Sequence, residues 1–181
     1  MRYFQKIKGD RVYLSPVNTD DAELYTKWLN DERVSVNLGN YKTMISVQSE
    51  KKILENFASE GQVYAIVLYD GDTLIGNIGL HEIDGVNRKA TVGLFIGEAR
   101  HRGKGYGTEA LRLMVRYGFK TLNLHNIMLK VNADNNAGIA CYQKAGFREF
   151  GRRRESTYKD GRYLDTVYME ILEPGAEATG E

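Results

Sequence analysis

Three glycines alternate with longer side chains in the run RGKGYGT, which occupies residues 102–108. Glycine allows the backbone to approach a ligand closely and to adopt turns that a Cβ atom would forbid. A helical pattern follows at once, with Leu111, Val115 and Phe119 on one face. A helix N-terminus presents unpaired N–H groups and a partial positive charge. The run is therefore predicted to bind an anion, most simply a pyrophosphate.

Three pyrophosphate-binding patterns can be compared with this run. A P-loop requires G-x-x-x-x-G-K-S/T, but Gly97 and Gly103 are one residue too far apart for it. The dinucleotide-binding pattern G-x-G-x-x-G/A is matched by Gly105, Gly107 and Ala110. That pattern should turn directly out of a strand in a doubly wound sheet, whereas the preceding strands are predicted here to be antiparallel. The third pattern is a coenzyme A cradle, and a second block of residues favours it.

Two blocks of the chain together resemble the GCN5-related N-acetyltransferase (GNAT) superfamily. The first is RGKGYG at residues 102–107, which satisfies the superfamily pattern Q/R-x-x-G-x-G/A. The second is NNAGIACYQKAGF at residues 135–147, which is similar to N-x-x-S/A-x-x-x-Y-x-x-x-G-F except that Gly138 replaces Ser or Ala. The segments LHEID at 80–84, YGF at 117–119 and DG at 160–161 most resemble the branch of ribosomal-protein and spermidine acetyltransferases.

This resemblance implies an acetyl-CoA-dependent N-acetyltransferase that acts by direct transfer in a ternary complex. The acceptor would be a primary amine, which could belong to a polyamine, a protein N-terminus or another small molecule. The resemblance also allows a homodimer. An alternative from a different class is a non-catalytic module that binds coenzyme A for regulation or interaction.

The resemblance also implies which residues bind the cofactor. Backbone groups of the strand before the glycine run would hold the pantetheine arm and polarise the thioester. Backbone N–H groups of the run would bind the pyrophosphate, and two basic side chains of the run would add charge, one toward the ribose 3′-phosphate. Asn135 would bond the pantetheine arm, or act only as a helix N-cap. The predicted cofactor-binding residues are Leu94, Phe95, Ile96, Arg102, Gly103, Lys104, Gly105, Tyr106, Gly107, Thr108 and Asn135.

Tyr142 occupies the tyrosine position of the second block. A phenol with a pKa of about 10 can protonate a thiolate that derives from a thiol of similar or lower acidity. Tyr142 is therefore predicted to be the general acid for the leaving group. The alternative is a core aromatic residue on a short helix.

The general base is where the chain departs from the superfamily pattern. Many relatives carry Glu just before the bulged part of the fourth strand, and Thr91 stands at that position here. A threonine cannot take a proton near neutral pH, although it could orient a water. Glu82 is predicted as the alternative base, and His81, whose imidazole could take a proton, is a further candidate. Solvated charges at a strand end would explain both residues equally well.

The elements that must position these residues follow from periodicity and turn residues. Strands are predicted at residues 11–17, 63–69, 74–83, 89–96, 126–131, 147–158 and 163–172, with helices after residues 21, 46, 108 and 135. The order β-α-α-β-β-β-α-β-α-β-β predicts an α/β fold, in which one mixed sheet carries helices on its faces. It matches the GNAT-like acyl-CoA N-acyltransferase fold. One acetyltransferase domain is expected over residues 1–172, followed by a disordered tail at residues 173–181.

Composition limits the partners of the chain. It has 181 residues, 42% hydrophobic and 27% charged, with a net charge of +1. This balance offers no general attraction for nucleic acid or anionic membranes. No metal is predicted, because the three histidines lack metal-ligand spacing and there is one cysteine. Cys141 is expected to pack rather than react. A single cysteine and no signal or spanning segment predict a cytoplasmic protein.

The acceptor is expected to enter beside the first two helices and the terminal hairpin. Trp28 could line that site, although a core position explains it equally well. Acidic residues of the N-terminal region could attract a polyamine, but helix-start acids and solvated faces are an equal explanation. These acids are Asp20, Asp21, Asp31, Glu32 and Glu50.

Overall fold

The computed structural model describes residues 2–38, 42–159 and 161–174. The elements of this part of the chain are β1 (Ile7–Lys8), β2 (Val12–Pro16), α1 (Ala22–Leu29), α2 (Glu32–Leu38), α3 (Val47–Glu60), β3 (Val63–Leu68), β4 (Thr73–Asp84), β5 (Lys89–Ile96), α4 (Tyr106–Lys120), β6 (Asn126–Asn132), α5 (Asn136–Ala145), β7 (Arg148–Lys159) and β8 (Arg162–Leu172). The predicted order is confirmed, with the short elements β1 and α2 added. Asp160 of the predicted hairpin turn, and residues 175–181 of the predicted tail, lie outside the described residues.

The strands pair in the order β1-β2-β3-β4-β5-β6-β8-β7. β5 and β6 are parallel, over Lys89–Thr91 and Asn126–Met128, and α4 connects them. The pairs β1/β2, β2/β3, β3/β4, β6/β8 and β7/β8 are antiparallel. A single strand–helix–strand unit thus follows an antiparallel meander, which confirms the mixed α/β sheet.

Local sequence signals explain the helix ends that were predicted. At the start of α3, Ser46 and Ser49 form a reciprocal capping box. Such a cap contributes about 1 kcal/mol, because it satisfies N–H groups that have no partner within the helix. At its end, Gly61 adopts the left-handed conformation with φ of 68°, which glycine tolerates without strain.

The chain divides into two compact units. The first comprises Met1–Gly79 and Leu94–Leu113, and the second comprises Leu80–Gly93 and Met114–Glu181. The core of the first unit contains Tyr13, Tyr25, Trp28, Leu54, Val63, Ala65 and Val67. The buried residues of the second unit include Leu80, Met114, Leu124, Ile127, Leu129, Phe147, Val167 and Met169. Each unit therefore has buried apolar residues of its own.

Candidate active site

The glycine run of the first unit is a loop that leads directly into α4. Gly103 and Gly105 both have left-handed backbones, with φ of 70° and 83°. An L-residue with a Cβ atom adopts this conformation at a cost of about 1–2 kcal/mol. α4 begins at Tyr106, so the run leads into the N-terminus of a helix, where the positive end of the helix dipole lies. The predicted position of the run at a helix N-terminus is confirmed, and its geometry suits an anion.

Arg11, at the start of β2, supports this loop from outside the run. Its Nη1 atom donates a hydrogen bond to the carbonyl oxygen of Lys104 at 2.9 Å. The same guanidinium lies over the ring of Tyr106, 5.1 Å from the ring centre. A Cβ atom on Gly105 would lie 3.2 Å from Nη2 of Arg11. Glycine at this position therefore permits both the positive φ and the contact with the arginine.

Glu109, in the first turn of α4, holds the backbone of residues 10–12 beside the glycine run of the first unit. Its Oε1 atom accepts backbone N–H groups of Asp10 and Arg11 at 2.8 Å and of Val12 at 3.2 Å. Its Oε2 atom accepts Nε–H of Arg11 at 2.9 Å. Burial acts to raise the pKa of Glu109, but these donors outweigh it and the pKa is lowered. Neither Arg11 nor Glu109 was predicted from the sequence, because nothing local signals a contact across 98 residues.

Arg102 uses its side chain to brace the segment between β5 and α4. Its guanidinium donates to the carbonyl oxygens of Ile96 at 3.0 Å, Gly97 at 2.7 Å and Arg33 at 3.3 Å. These bonds tie the segment to α2 within the first unit. A contact between this side chain and a cofactor phosphate stays a prediction.

The end of β5 in the first unit carries Phe95, one of the predicted thioester-binding residues. A Cβ atom on Gly76 of β4 would clash with the carbonyl oxygen of Phe95, so glycine is required at this close backbone approach. The Phe95 ring packs edge-on against Tyr25 and Trp28 of α1, with centroids 6.1 Å apart in each pair. These contacts fix the strand that is predicted to hold the thioester.

A cavity of about 310 Å³ lies beside this segment of the first unit. The acids that line it are both paired with arginines. Asp31 bonds Arg33 at 2.8 Å, and Glu98 bonds Arg100 at 2.6 Å. Neighbouring cations therefore already balance the negative charges of the cavity.

In the second unit, Glu82 and Thr91 are joined by a hydrogen bond. The Oγ1 atom of Thr91 donates to Oε2 of Glu82 at 2.8 Å. Glu82 has a φ of 52°, an unusual backbone conformation for a residue with a Cβ atom. Such outliers cluster at functional sites. Thr91, which replaces the usual Glu, thus bonds the carboxylate of Glu82, the residue predicted to be the base instead. His81 is exposed on the same strand.

Tyr142 lies on α5 of the second unit, and its ring meets Phe147 edge-on with centroids 6.2 Å apart. Burial, followed by the neighbouring Cys141, raises the pKa of Tyr142 to about 12. The phenol therefore keeps its proton throughout the neutral range and can act as a proton donor. Its predicted role as general acid is chemically consistent with this environment and stays a prediction.

Asn135 caps α5 through its side chain, so the predicted N-cap role is confirmed. Its Oδ1 atom accepts the backbone N–H of Gly138 at 3.0 Å. A Cβ atom at residue 138 would lie 2.7 Å from Nδ2 of Asn135. Glycine in place of the usual Ser or Ala thus leaves room for this cap. The hydrogen bond of Asn135 to pantetheine stays a prediction.

Metal-binding clusters and membrane-spanning helices are both absent from the described part of the chain. Over residues 2–38, 42–159 and 161–174, no group of three or more His, Cys, Asp or Glu side chains is placed to hold a metal ion. In the same ranges, no helix combines the length and apolar character needed to cross a membrane.

Comparisons with known proteins add a family and a fold to this geometry. A family model described as an acetyltransferase (GNAT) domain matches residues 11–148. Spermidine N(1)-acetyltransferase of Vibrio cholerae is 30% identical over 154 residues, which cover 79% of this chain and 88% of that protein.

Solved structures show the same similarity. The crystal structure of Vibrio cholerae spermidine N-acetyltransferase in complex with CoA and spermine has a TM-score of 0.78 and 25% identity, and the match covers 91% of this chain and 96% of that one. The structure of RimL, a ribosomal L7/L12 α-N-protein acetyltransferase in complex with coenzyme A, has a TM-score of 0.76 over 91% of this chain and 95% of that one. At 16% identity, this second likeness shows the fold alone.

Proposed function

Because this chain belongs to the GNAT acetyltransferase family and is by that membership an N-acetyltransferase, we propose that it transfers the acetyl group of acetyl-CoA directly to a primary amine. The resemblance predicted from the glycine run and the block at residues 135–147 is confirmed by the family match. The observation that carries the proposal is the glycine run, whose two left-handed glycines lead into the N-terminus of α4. The acceptor is a polyamine, a protein N-terminus or another small-molecule amine.

The donor half of the reaction uses mainly backbone groups. The N–H groups of residues 103–108 bind the pyrophosphate of the substrate, as the positive end of a helix N-terminus favours. Backbone groups of Leu94, Phe95 and Ile96 hold the pantetheine arm and polarise the thioester carbonyl. Lys104 adds positive charge. Asn135 bonds the pantetheine arm through the part of its side-chain amide that does not cap α5.

The acceptor half uses Glu82 and Tyr142. Glu82 takes a proton from the acceptor nitrogen, directly or through a water, while the Thr91 hydroxyl holds its carboxylate in place. The nitrogen then bonds to the thioester carbon and the C–S bond breaks. Tyr142 gives its phenolic proton to the leaving thiolate and regains one from the nitrogen of the new amide, so charge and protons balance.

We further propose that residues 1–172 act as one acetyltransferase domain, that the protein works in the cytoplasm, and that two copies form a homodimer. The single cysteine supports a reducing compartment. Light scattering in solution tests the dimer, because it separates the mass of one chain from that of two.

Release of coenzyme A from acetyl-CoA tests the function, with spermidine, a peptide with a free N-terminus and a simple alkylamine as acceptors. Turnover with at least one amine is expected. Tyr142→Phe should lower kcat by roughly a hundredfold, within the range for general acid–base catalysis. Tyr163→Phe, at a tyrosine that is 63% exposed, is the matched control and should keep wild-type turnover. Tight coenzyme A binding without release on any amine would support the non-catalytic module instead.

A further inference from the structure

Glu50 of α3 is a buried carboxylate. It is 2% exposed, and its Oε2 atom has no hydrogen-bond partner within the described residues. Burial raises the pKa of this carboxyl, and no described cation or hydrogen-bond donor acts to lower it. An unpaired buried carboxylate is costly for a folded protein and calls for an explanation, such as a role in binding.

Three more buried polar atoms without partners lie on the adjacent helix α1. They are the Tyr25 hydroxyl, Thr26 Oγ1 and Trp28 Nε1. The described residues contain six such side-chain atoms, and four of them belong to α1 and α3. Burial first, and then nearby charges that include Glu50, raise the pKa of Tyr25 well above its ordinary value. The charge of Glu50 therefore affects Tyr25, which carries one of the unpartnered atoms of α1.

Three aromatic rings of the first unit pack against one another next to these atoms. Tyr25 and Trp28 pack edge-to-face with centroids 5.5 Å apart, and each ring lies 6.1 Å from Phe95. Asn77 of β4 belongs to the same group, because its side chain acts to lower the pKa of the Tyr25 hydroxyl, although the two make no hydrogen bond of normal geometry. We call Tyr25, Trp28, Glu50, Asn77 and Phe95 the α1–α3 cluster.

The α1–α3 cluster contains both buried and partly exposed residues. Tyr25, Trp28 and Glu50 are buried, whereas Asn77 and Phe95 are partly exposed. A ligand would therefore reach the cluster along β4 and β5, past the residue predicted to lie at the thioester. Aromatic faces together with a carboxylate are the surroundings that an alkylammonium ion prefers, because the ring quadrupole and the negative charge both attract a cation.

We propose that the α1–α3 cluster binds an ammonium group of the acceptor, with Glu50 as its counter-ion and the rings of Tyr25, Trp28 and Phe95 as its walls. This inference rests on the proposed acetyl transfer. The bound group stays charged, so it is a second amine and differs from the nitrogen that receives the acetyl group. Glu50 is thereby a specificity residue that selects diamines and longer polyamines over monoamines.

The cavity beside α2 is a weaker place for the same cation. Asp31 and Glu98, the acids that line it, already bond Arg33 and Arg100. An ammonium ion there would have to displace an arginine. At Glu50, no described cation has to be displaced.

The experiment compares a straight-chain alkyl diamine with the monoamine of the same chain length. The kcat and KM of wild-type protein, Glu50→Gln and Glu55→Gln are measured for both amines by coenzyme A release. Glu55 lies on the same helix and is exposed, so it is the matched control. Wild-type protein should prefer the diamine. Glu50→Gln should reduce that preference roughly tenfold to hundredfold through KM, the range for a hydrogen bond to a charged group. Glu55→Gln should keep the preference.

The possible results separate the inference from the proposed function. Equal turnover of both amines by wild-type protein, or an unchanged preference in Glu50→Gln, overturns the inference and leaves acetyl transfer intact. No turnover of any amine refutes the proposed function. A thermal melt shows whether each variant is folded. Glu50→Gln should melt no lower than wild type, because it removes an unpaired buried charge.

Discussion

Glu109 fastens residues 10–12 to the first turn of α4, so Glu109→Gln tests whether this contact holds the glycine run. One carboxylate oxygen accepts three backbone N–H groups, and the other accepts Nε–H of Arg11. Glutamine keeps the size of the side chain and one acceptor oxygen, but it removes the charge and the second acceptor. We expect lower stability and, because Arg11 also bonds the carbonyl of Lys104, weaker coenzyme A binding.

The size of the effect follows from these bonds. A hydrogen bond to a charged group contributes roughly 1.5–3 kcal/mol and a neutral one roughly 0.5–1.5 kcal/mol. Making the three backbone bonds neutral therefore costs about 2 kcal/mol, since neighbouring bonds do not add fully. The ion pair with the half-exposed Arg11 adds less than about 1 kcal/mol. A total of about 2–3 kcal/mol lowers the melting temperature of a chain of this length by roughly 4–12 °C.

The effect should also depend on pH in a defined direction. The pKa of Glu109 is lowered in the folded protein, although burial alone would raise it. A carboxyl group of this kind contributes stability above its unfolded pKa and loses it as the pH falls through its folded pKa. The difference in the free energy of unfolding between wild type and Glu109→Gln should therefore be largest at pH 7 and shrink below a pH of about 4.

Thermal and urea melts at neutral and acidic pH measure this gap, and calorimetric titration measures coenzyme A affinity. Glu23→Gln is the matched control, because Glu23 is an exposed acid in the first turn of α1. Both variants lose a helix-dipole interaction of about 0.3–1 kcal/mol. If Glu109→Gln loses no more stability than Glu23→Gln at pH 7, the reasoning about this contact is wrong.

Three further predictions concern other residues. Gly76→Ala should destabilise by more than about 2 kcal/mol in urea melts, because its Cβ would meet the carbonyl of Phe95, whereas Gly85→Ala, with open space around it, should change little. With a pKa of about 12, Tyr142 should cause no fall in wild-type kcat up to a pH of about 10, and an alkaline decline that Tyr142→Phe abolishes would contradict this. The raised pKa of Glu50 makes wild type lose stability as the pH rises through that pKa, and Glu50→Gln melts should lack this loss.

Elements with strong local signals could be predicted from sequence. The limits of β5 were predicted at residues 89–96 and observed at Lys89–Ile96. The start of α3 was predicted after residue 46, where Ser46 and Ser49 form a cap within one turn of the helix. Local hydrogen bonds determine such limits, so a single sequence is enough to find them.

Two elements were missed because their cause is not local. β1 has two residues, Ile7 and Lys8, and exists only because they pair with Leu14 and Tyr13 of β2. α2 has seven residues, of which Val34 and Ser35 are buried, and this is too short a pattern for helical periodicity. The bracing of the glycine run by Arg11 and Glu109 has the same non-local origin.

The departures from the superfamily pattern are explained by their neighbours in space. Gly138 replaces Ser or Ala where a Cβ atom would crowd the amide of Asn135, so the exchange preserves the helix cap. Thr91 replaces Glu, and its hydroxyl bonds the carboxylate of Glu82 on the adjacent strand. Glu82 itself has a left-handed backbone with φ of 52°, a conformation that clusters at functional sites, and its role as the base stays a prediction.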